Sequence, residues 1–372
     1  MTVERAGSQG QLRNPRAIVK VNDKEVKFME IEVMSGAPYT ADTYYVEMPL
    51  YSQPDGIDFA YFSSVEQFSV KIYMGFPADP NAFNVNELVL MIQGESNDVE
   101  IDPSEGIVRI SGRDLSSRLI DSKVTQSFSN ITASELAQQF AEANNLKQEI
   151  TPTQDVIGTF LETAQTYTAN NSTQWDMLVQ AAVQENFMVY VKGETLVFKP
   201  FPSNDDNIQP YVLNYIPKSS SNNIPTFNLG TKISFFKNNI VSGNINVTVK
   251  VPYSTYTGKA FHVKQTARNS AASPDAIRKY VYSHPGLTYE QAKKQCKQLL
   301  NNLIVHSVRF SAELVPDIIL SKDMLIRVTG TNTDFDQDYY IDRLVRRMTI
   351  SDFSMYLGGK NKLDQTELGE AG

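Results

Sequence analysis

Apolar residues alternate at period two through both ends of the chain and fall at helical spacing in its middle. Phe68, Val70, Ile72 and Met74 are separated by polar neighbours, and so are Ile245, Val247, Val249 and Val251. Side chains on a strand point to opposite faces in turn, so both runs predict strands with one buried face. Between Ala17 and Asp121 further strands are expected at Ile18 to Val21, before a turn at Asn22-Asp23, and at Val26 to Val33. Two more, Leu88 to Ile92 and Ile107 to Ile110, flank a turn-rich Gly94 to Asp98 stretch. Together these make a β domain of barrel or sandwich size.

The period then changes. Thr132-Ala133-Ser134-Glu135 is a capping box, in which hydroxyl and carboxylate satisfy two orphan amides, and Ile131 with Leu136 sits at hydrophobic-staple spacing. A helix to about Asn144 should bury Leu136, Phe140 and Ala143. Ser172 or Thr173 caps a second helix, whose Trp175, Leu178, Val179 and Ala182 form one apolar stripe. A hairpin follows, Phe187 to Val191 and Thr195 to Phe198, with Gly193 in its turn.

Strands return from about Tyr211, at Lys232 to Phe236 and Asn244 to Val251. Two helices interrupt them, one capped at Ser273-Pro274 and one behind the capping box Thr288 to Gln291, with Ala292, Cys296, Leu299, Leu300 and Leu303 buried. Return strands are expected at Val308 to Val315, Met324 to Thr329, Tyr339 to Val345 and Arg347 to Leu357. The chain thus reads as α+β and mostly β. Residues 1–15 form a mobile arm, 16–120 a first β domain and 121–205 an α+β module. Residues 206–259 with 311–358 form a second β domain around a helical insertion at 260–310, and 359–372 are a mobile tail.

An internal echo hints at duplication. Ile107-Val108-Arg109-Ile110-Ser111-Gly112 and Leu325-Ile326-Arg327-Val328-Thr329-Gly330 share one pattern, a strand that ends in a glycine-permitted turn. It makes Arg109 and Arg327 candidates for equivalent positions, each on the face opposite its two buried neighbours.

Composition narrows the function. The 372 residues allow two to three domains, and 18 Tyr, 19 Phe and one Trp exclude disorder along the whole chain. A net charge of −8 argues against nucleic acid as a ligand, because duplex binding needs a basic surface. The lone Cys296 leaves no intrachain disulfide and fits a protein folded in a reducing cytoplasm. The start lacks the apolar core of a signal peptide, and no run is long and apolar enough to span a membrane.

Chemical motifs are sparse. Asp334-Phe335-Asp336-Gln337-Asp338 opens like a calcium loop, but Tyr339 and Val345 stand where Gly and a bidentate Glu are needed, so it reads as a solvated hairpin tip. His262, His284 and His306 are too far apart for a local metal pair. No nucleophile elbow, phosphate loop or dinucleotide fingerprint occurs. Lys293, Lys294 and Lys297 read as a solvated helix face and Trp175 as core. No catalytic, cofactor-binding or metal-ligating residue stands out, and the chain is expected not to be an enzyme.

Several segments resemble the late control D type of hub protein from contractile-tailed phages. These are Ile110 to Leu115 with Leu119 to Lys123, then Thr132 to Ala137, Thr173 to Leu178, Glu185 to Val191, Leu287 to Ala292 and Pro316 to Gly330. Asn186 stands where that family usually has Gly. The same fold occurs in the N-terminal half of type VI secretion valine-glycine-repeat spike proteins. The resemblance implies a homotrimeric baseplate hub whose subunits each carry two similar tube-like β-barrels, an α+β module between them and a helical insertion in the second. Its implied partners are itself, the tail tube, the central spike and other baseplate proteins. DNA would pass through the lumen without specific binding, kept from sticking by acidic walls. Its implied place is the virion tail, after assembly in the host cytoplasm, with no membrane insertion and no cofactor. The alternatives are a tail-associated cell-wall hydrolase and a receptor-binding tail-tip protein. The aromatic stretch Tyr39 to Tyr51 has no counterpart in the family and reads as an inserted docking loop or an elaborated hairpin.

Overall fold

The structure, a computed structural model, describes residues 14–361 and 368–370, apart from 125–126, 158, 162–163, 169–171, 203–208, 218–225, 228–231, 239–244, 255–256, 268–276 and 306. It is mostly β, with five α-helices among the described residues.

The first lobe contains β1 (Arg16–Val21), β2 (Lys24–Val26), β3 (Glu30–Gly36), β4 (Thr43–Pro49), helix α1 (Phe59–Ser64), β5 (Ser69–Gly75), β6 (Val89–Asp102), β7 (Ile107–Asp114) and the short helix α2 (Ser116–Asp121). Its strands run in the order β3-β4-β7-β6-β5-β1-β2. Phe68, Val70, Ile72 and Met74 are fully buried, as their alternation predicts, against Val19, Ile31, Val46 and Ile110. Each such side chain contributes roughly 2 kcal/mol by leaving water. Asn22 and Asp23 both take positive φ in the β1–β2 turn.

Three expectations shift here. Val26 to Val33 is two strands with a break at 27–29. Gly94 to Asp98 is no turn: it lies inside β6, which absorbs an extra residue as a bulge between Ser96 and Asp98. The stretch Tyr39 to Tyr51 is no inserted loop, since β4 is an interior strand between β3 and β7 with Tyr44, Val46 and Met48 buried.

The middle module holds β8 (Lys123–Val124), β9 (Ser127–Ser129), α3 (Ala133–Ala143), β10 (Lys147–Ile150), β11 (Thr159–Leu161), β12 (Ala164–Thr168), β13 (Ser172–Thr173), α4 (Gln174–Glu185), β14 (Phe187–Lys192) and β15 (Thr195–Pro200). Thr132 with Glu135 and Thr173 with Asp176 close the capping boxes of the two helices. Ala143 is exposed, and Ala137 and Ala141 take the core side of α3 instead. Leu136, Phe140, Trp175, Leu178, Val189 and Phe198 share one core. Helix α4 ends at Asn186 in the left-handed conformation, which Asn tolerates better than most residues, so the position usually held by Gly is filled without a change of path.

The rest of the chain is β16 (Tyr211–Ile216), β17 (Thr226–Phe227), β18 (Lys232–Lys237), β19 (Ile245–Val251), β20 (Phe261–Ala267), β21 (Arg278–Ser283), α5 (Tyr289–Ile304), β22 (Val308–Leu314), β23 (Leu325–Thr329), β24 (Asp338–Thr349), β25 (Phe353–Asn361) and β26 (Leu368–Glu370). The second lobe is built from β16, β17, β18, β22, β23, β24 and β25. The lobes are not separate sheets. β24 pairs β23 along its first residues and β3 from Arg343 to Thr349, so one fourteen-stranded sheet runs through both. Its strand order does not close into a ring among the described residues.

The insertion is more β than expected. β19 belongs to it, in a four-stranded sheet ordered β21-β19-β20-β26, with Ala292, Cys296 and Leu300 of α5 packed on Val247 and Val249. Residues 278–283 form a strand where a helix was expected, while the Ser273-Pro274 cap lies outside the described residues, as does His306. β25 continues to Asn361 and β26 pairs β20, so the tail expected to be mobile from residue 359 supplies strand residues to two sheets. Lys294 is not on a bare solvated face: it reaches Glu185 at 2.6 Å and Asp155 at 3.1 Å, tying α5 to the middle module.

Candidate functional site at the junction of lobes and module

Charged residues are buried where the lobes and the middle module meet. The turn between β3 and β4 inserts into the module: Tyr39 donates its N–H to the Val189 carbonyl at 3.1 Å and its hydroxyl to the Phe187 carbonyl at 2.6 Å. Trp175 Nε1 donates to the Tyr39 carbonyl at 3.1 Å. Trp175 is therefore core, as expected, and anchors the turn as well.

This turn places Asp42 beside Asp114 at the end of β7. The Asp114 N–H donates to the Asp42 carbonyl at 2.9 Å, and the Asp42 N–H donates to Asp114 Oδ2 at 3.2 Å. Ser116 donates its N–H and hydroxyl to Asp114 Oδ1. From the second lobe Lys322 reaches Asp42 Oδ1 at 2.5 Å, with both side chains under one-tenth exposed, and its ammonium lies 5.0 Å from the Tyr190 ring centre. The Tyr190 hydroxyl and Lys199 both donate to Asp323 at 3.3 Å. On β24, Arg346 is 4% exposed and donates to the carbonyls of Asp317 and Leu320. A cavity of about 380 Å³ opens among these groups.

Two carboxyls and one lysine leave one carboxylate without a counter-charge. Burial pushes the Asp114 carboxyl up to about 7, with the neighbouring Asp42 adding to the shift and Lys322 opposing it. Burial also raises Asp42, against the pull of Lys322. Removing one partner of such a buried pair costs about 3–5 kcal/mol, so the cluster acts as a lock between units. Among the described residues no group of three or more His, Cys, Asp or Glu is placed to hold a metal ion, and no helix is long and apolar enough to cross a membrane.

The two candidate arginines stay apart, one on each lobe. Arg109 lies in register between Glu47 and Glu100 and binds both, at 2.9 and 3.0 Å. Arg327 lies opposite Asp338 and binds it at 2.7 and 2.9 Å. Val108, Ile110, Ile326 and Val328 are buried on the opposite faces. The glycines differ. Gly330 has φ +86° and follows the end of β23, whereas β7 continues through Gly112 to Asp114, so the expected turn there is absent. A Cβ at Gly112 would lie 2.1 Å from the Glu95 carbonyl oxygen, so close approach across the sheet explains this glycine. Strand context differs too: β7 has two antiparallel neighbours, while β23 has one antiparallel and one parallel.

Asp336 organises the β23–β24 turn, accepting from the N–H groups of Thr331 at 3.0 Å and Asn332 at 2.8 Å. His262 lies on β20, and His284 follows β21 with its N–H donated to the Lys250 carbonyl. Motif spacing does not single out the junction residues, although the sequence carries a signal. Asp42 is in phase with Tyr44, Val46 and Met48, Asp114 with Val108 and Ile110, and Arg346 with Leu344 and Met348. A charge in step with a buried face is the mark of an internal ionic site.

No protein-family profile matches the sequence, and no curated protein matches it. Solved structures do. The 43 kDa tail protein of prophage MuSo2 from Shewanella oneidensis superposes with a TM-score of 0.65 at 13% identity, over 93% of this chain and 98% of that one. This is a phage tail-protein fold. A tail protein from Neisseria meningitidis MC58 matches with a TM-score of 0.65 at 12% identity, over 94% of this chain and 97% of that one. The E. coli c3393 protein, described as a type VI secretion component structurally similar to T4 tail proteins, matches with a TM-score of 0.54 at 9% identity, over 93% of this chain and 77% of that one. The resemblance seen in the sequence therefore extends to the whole tail-protein fold.

Proposed function

We propose that this chain is a structural baseplate hub of a phage tail, a homotrimer that adapts a sixfold tail tube to a threefold central spike. The observation that carries this reading is the near end-to-end superposition on phage tail proteins, over more than nine-tenths of both chains. In this reading the two lobes are the two tube-like barrels of each subunit, completed by neighbours in the ring. Six barrels around a trimer would meet a hexameric tube without leaving half its contacts unmatched. Arg109 and Arg327 would then occupy related places on the lumen or between barrels. The carboxylates in register beside Arg109, which are Glu30, Glu47 and Glu100, would help to keep passing DNA from sticking. Partners are further copies of itself, tube, spike and other baseplate proteins, the place is the virion tail, and the role is not enzymatic.

Light scattering on the chromatographed protein should give three times 41.7 kDa, and negative-stain images should show a threefold ring with a central hole. A concentration-independent monomer, with or without the spike protein, refutes the hub.

A further inference from the structure

We propose that the junction cavity is a binding site for a carboxylate carried on a short apolar stem. The inference stands independently of the hub reading. The cavity, about 380 Å³, falls in the size range of small-ligand sites and lies where three parts of the chain meet. Two apolar side chains, Val89 and Ile319, line its outer part and are 45% and 37% exposed. Its inner wall carries Arg346 and the Asp42–Lys322 pair.

The charges decide what fits. Lys322 is balanced by Asp42, and Asp323 by Lys199. Arg346, buried to 4%, has no carboxylate within ion-pair distance among the described residues; Nε and Nη2 reach only main-chain carbonyls, and Nη1 has no acceptor. The Asp317 carboxylate acts on it only from farther off, its two oxygens taken by the Ile319 N–H and the Tyr211 hydroxyl. A buried guanidinium without a contacting counter-ion is costly, and a carboxylate is the group that its planar fork recognises best. Asp114 does not meet that need while its carboxyl stays protonated, which burial favours up to about pH 7. Lys192 at the cavity's edge adds positive charge to the approach. Exposed Val89 and Ile319 beside a basic edge, above a guanidinium without a contacting counter-ion, select an amphiphilic acid, free or as the carboxyl terminus of a chain.

Calorimetric titration of the full-length protein with hexanoate and with hexanamide at pH 6 tests this. Hexanoate should bind at least about tenfold tighter than its neutral isostere and should weaken between pH 6 and 8 as Asp114 ionises. Arg346→Met should abolish the preference; because that variant risks misfolding, Ile319→Asp at the exposed mouth should weaken hexanoate about tenfold with the fold intact. A peptide ending in free Leu that binds tighter than hexanoate, and loses this on amidation, points to a chain terminus. Equal binding by peptide and hexanoate points to a free acid. Equal affinity for hexanoate and hexanamide, binding of neither at millimolar concentration, or no effect of Ile319→Asp overturns the proposal.

Discussion

Replacing Asp114 with Asn should change how stability depends on pH more than it changes stability itself. In the folded chain burial raises this carboxyl to about 7 from an ordinary value of 3.8. Between those limits the native state holds a proton that the unfolded state has released. Stability therefore falls as pH rises from about 4 to 7 and is level above, at a slope of about 1.4 kcal/mol for each pH step of one. The full effect is on the order of 4 kcal/mol. Unfolding entropy near 2 cal/mol/K per residue gives roughly 0.8 kcal/mol/K for this chain, so the wild-type midpoint should drop by about 5 °C over that window. Exposed carboxylates whose values are lowered by ion pairs, such as Glu30 beside Arg347, act in the opposite direction, and their contribution is lost as pH falls toward and below their ordinary range.

The variant separates these contributions. Asn cannot ionise, but its amide must face either the Asp42 N–H or the Ser116 N–H, both donors. Asp114→Asn should therefore be less stable than wild type at pH 5, by about 1–2 kcal/mol, and should draw level with or exceed it at pH 8. Thermal melts followed by circular dichroism from pH 5 to 8 would display the crossing. Parallel curves for the two proteins would refute the argument, because they would show that Asp114 titrates no differently when folded.

Three further sets of substitutions probe the same architecture. Lys322→Met removes the counter-charge of Asp42 and should lower the urea midpoint at pH 7 by the equivalent of about 3–5 kcal/mol; a loss below about 1 kcal/mol would mean the junction is not a lock. Gly112→Ala should cost well over ~2 kcal/mol, since backbone must move to admit the methyl, whereas Gly330→Ala should cost about 1 kcal/mol of left-handed strain; equal melting points would contradict the different roles assigned to these glycines. Tyr39→Phe should cost about 1 kcal/mol and speed amide exchange in β14, and unchanged exchange there would show that the Tyr39 anchor is dispensable.

Local structure is legible in the chain because its causes are local. The capping boxes at Thr132 and Thr288 need only residues three apart, and the cap expected at Ser172 or Thr173 is equally local; each starts a helix where the pattern says, the last of them from Thr173. The alternation of Phe68 to Met74 likewise fixes which face is buried. What alternation cannot specify is the partner of a strand. Ile245 to Val251 has the texture of a barrel strand and belongs to the insertion, because a buried face is the same whether it meets a barrel wall or helix α5. Gly94 and Gly112 read as turn residues, yet both are strand positions where a neighbouring backbone passes close, a fact set by long-range pairing.

The long strand β24 meets this limit at a single residue. Its sequence reads as two strands of one domain, Tyr339 to Val345 and Arg347 to Leu357, with Arg346 left between them. The strand instead continues through the cation, and Arg346 is in step with the buried Leu344 and Met348. The same residue that hides the continuity of the strand sits where β24 pairs with the first lobe, in register with Val33. Part of its hydrogen-bonding need is met by the carbonyls of Asp317 and Leu320, on the connection that also carries Lys322 to Asp42, although these carbonyls do not balance its charge. The lobes are thus held together twice, by a shared strand and by a buried polar seam. Full separation of the lobes would have to break both, the backbone ladder of β24 with β3 and the Lys322–Asp42 pair.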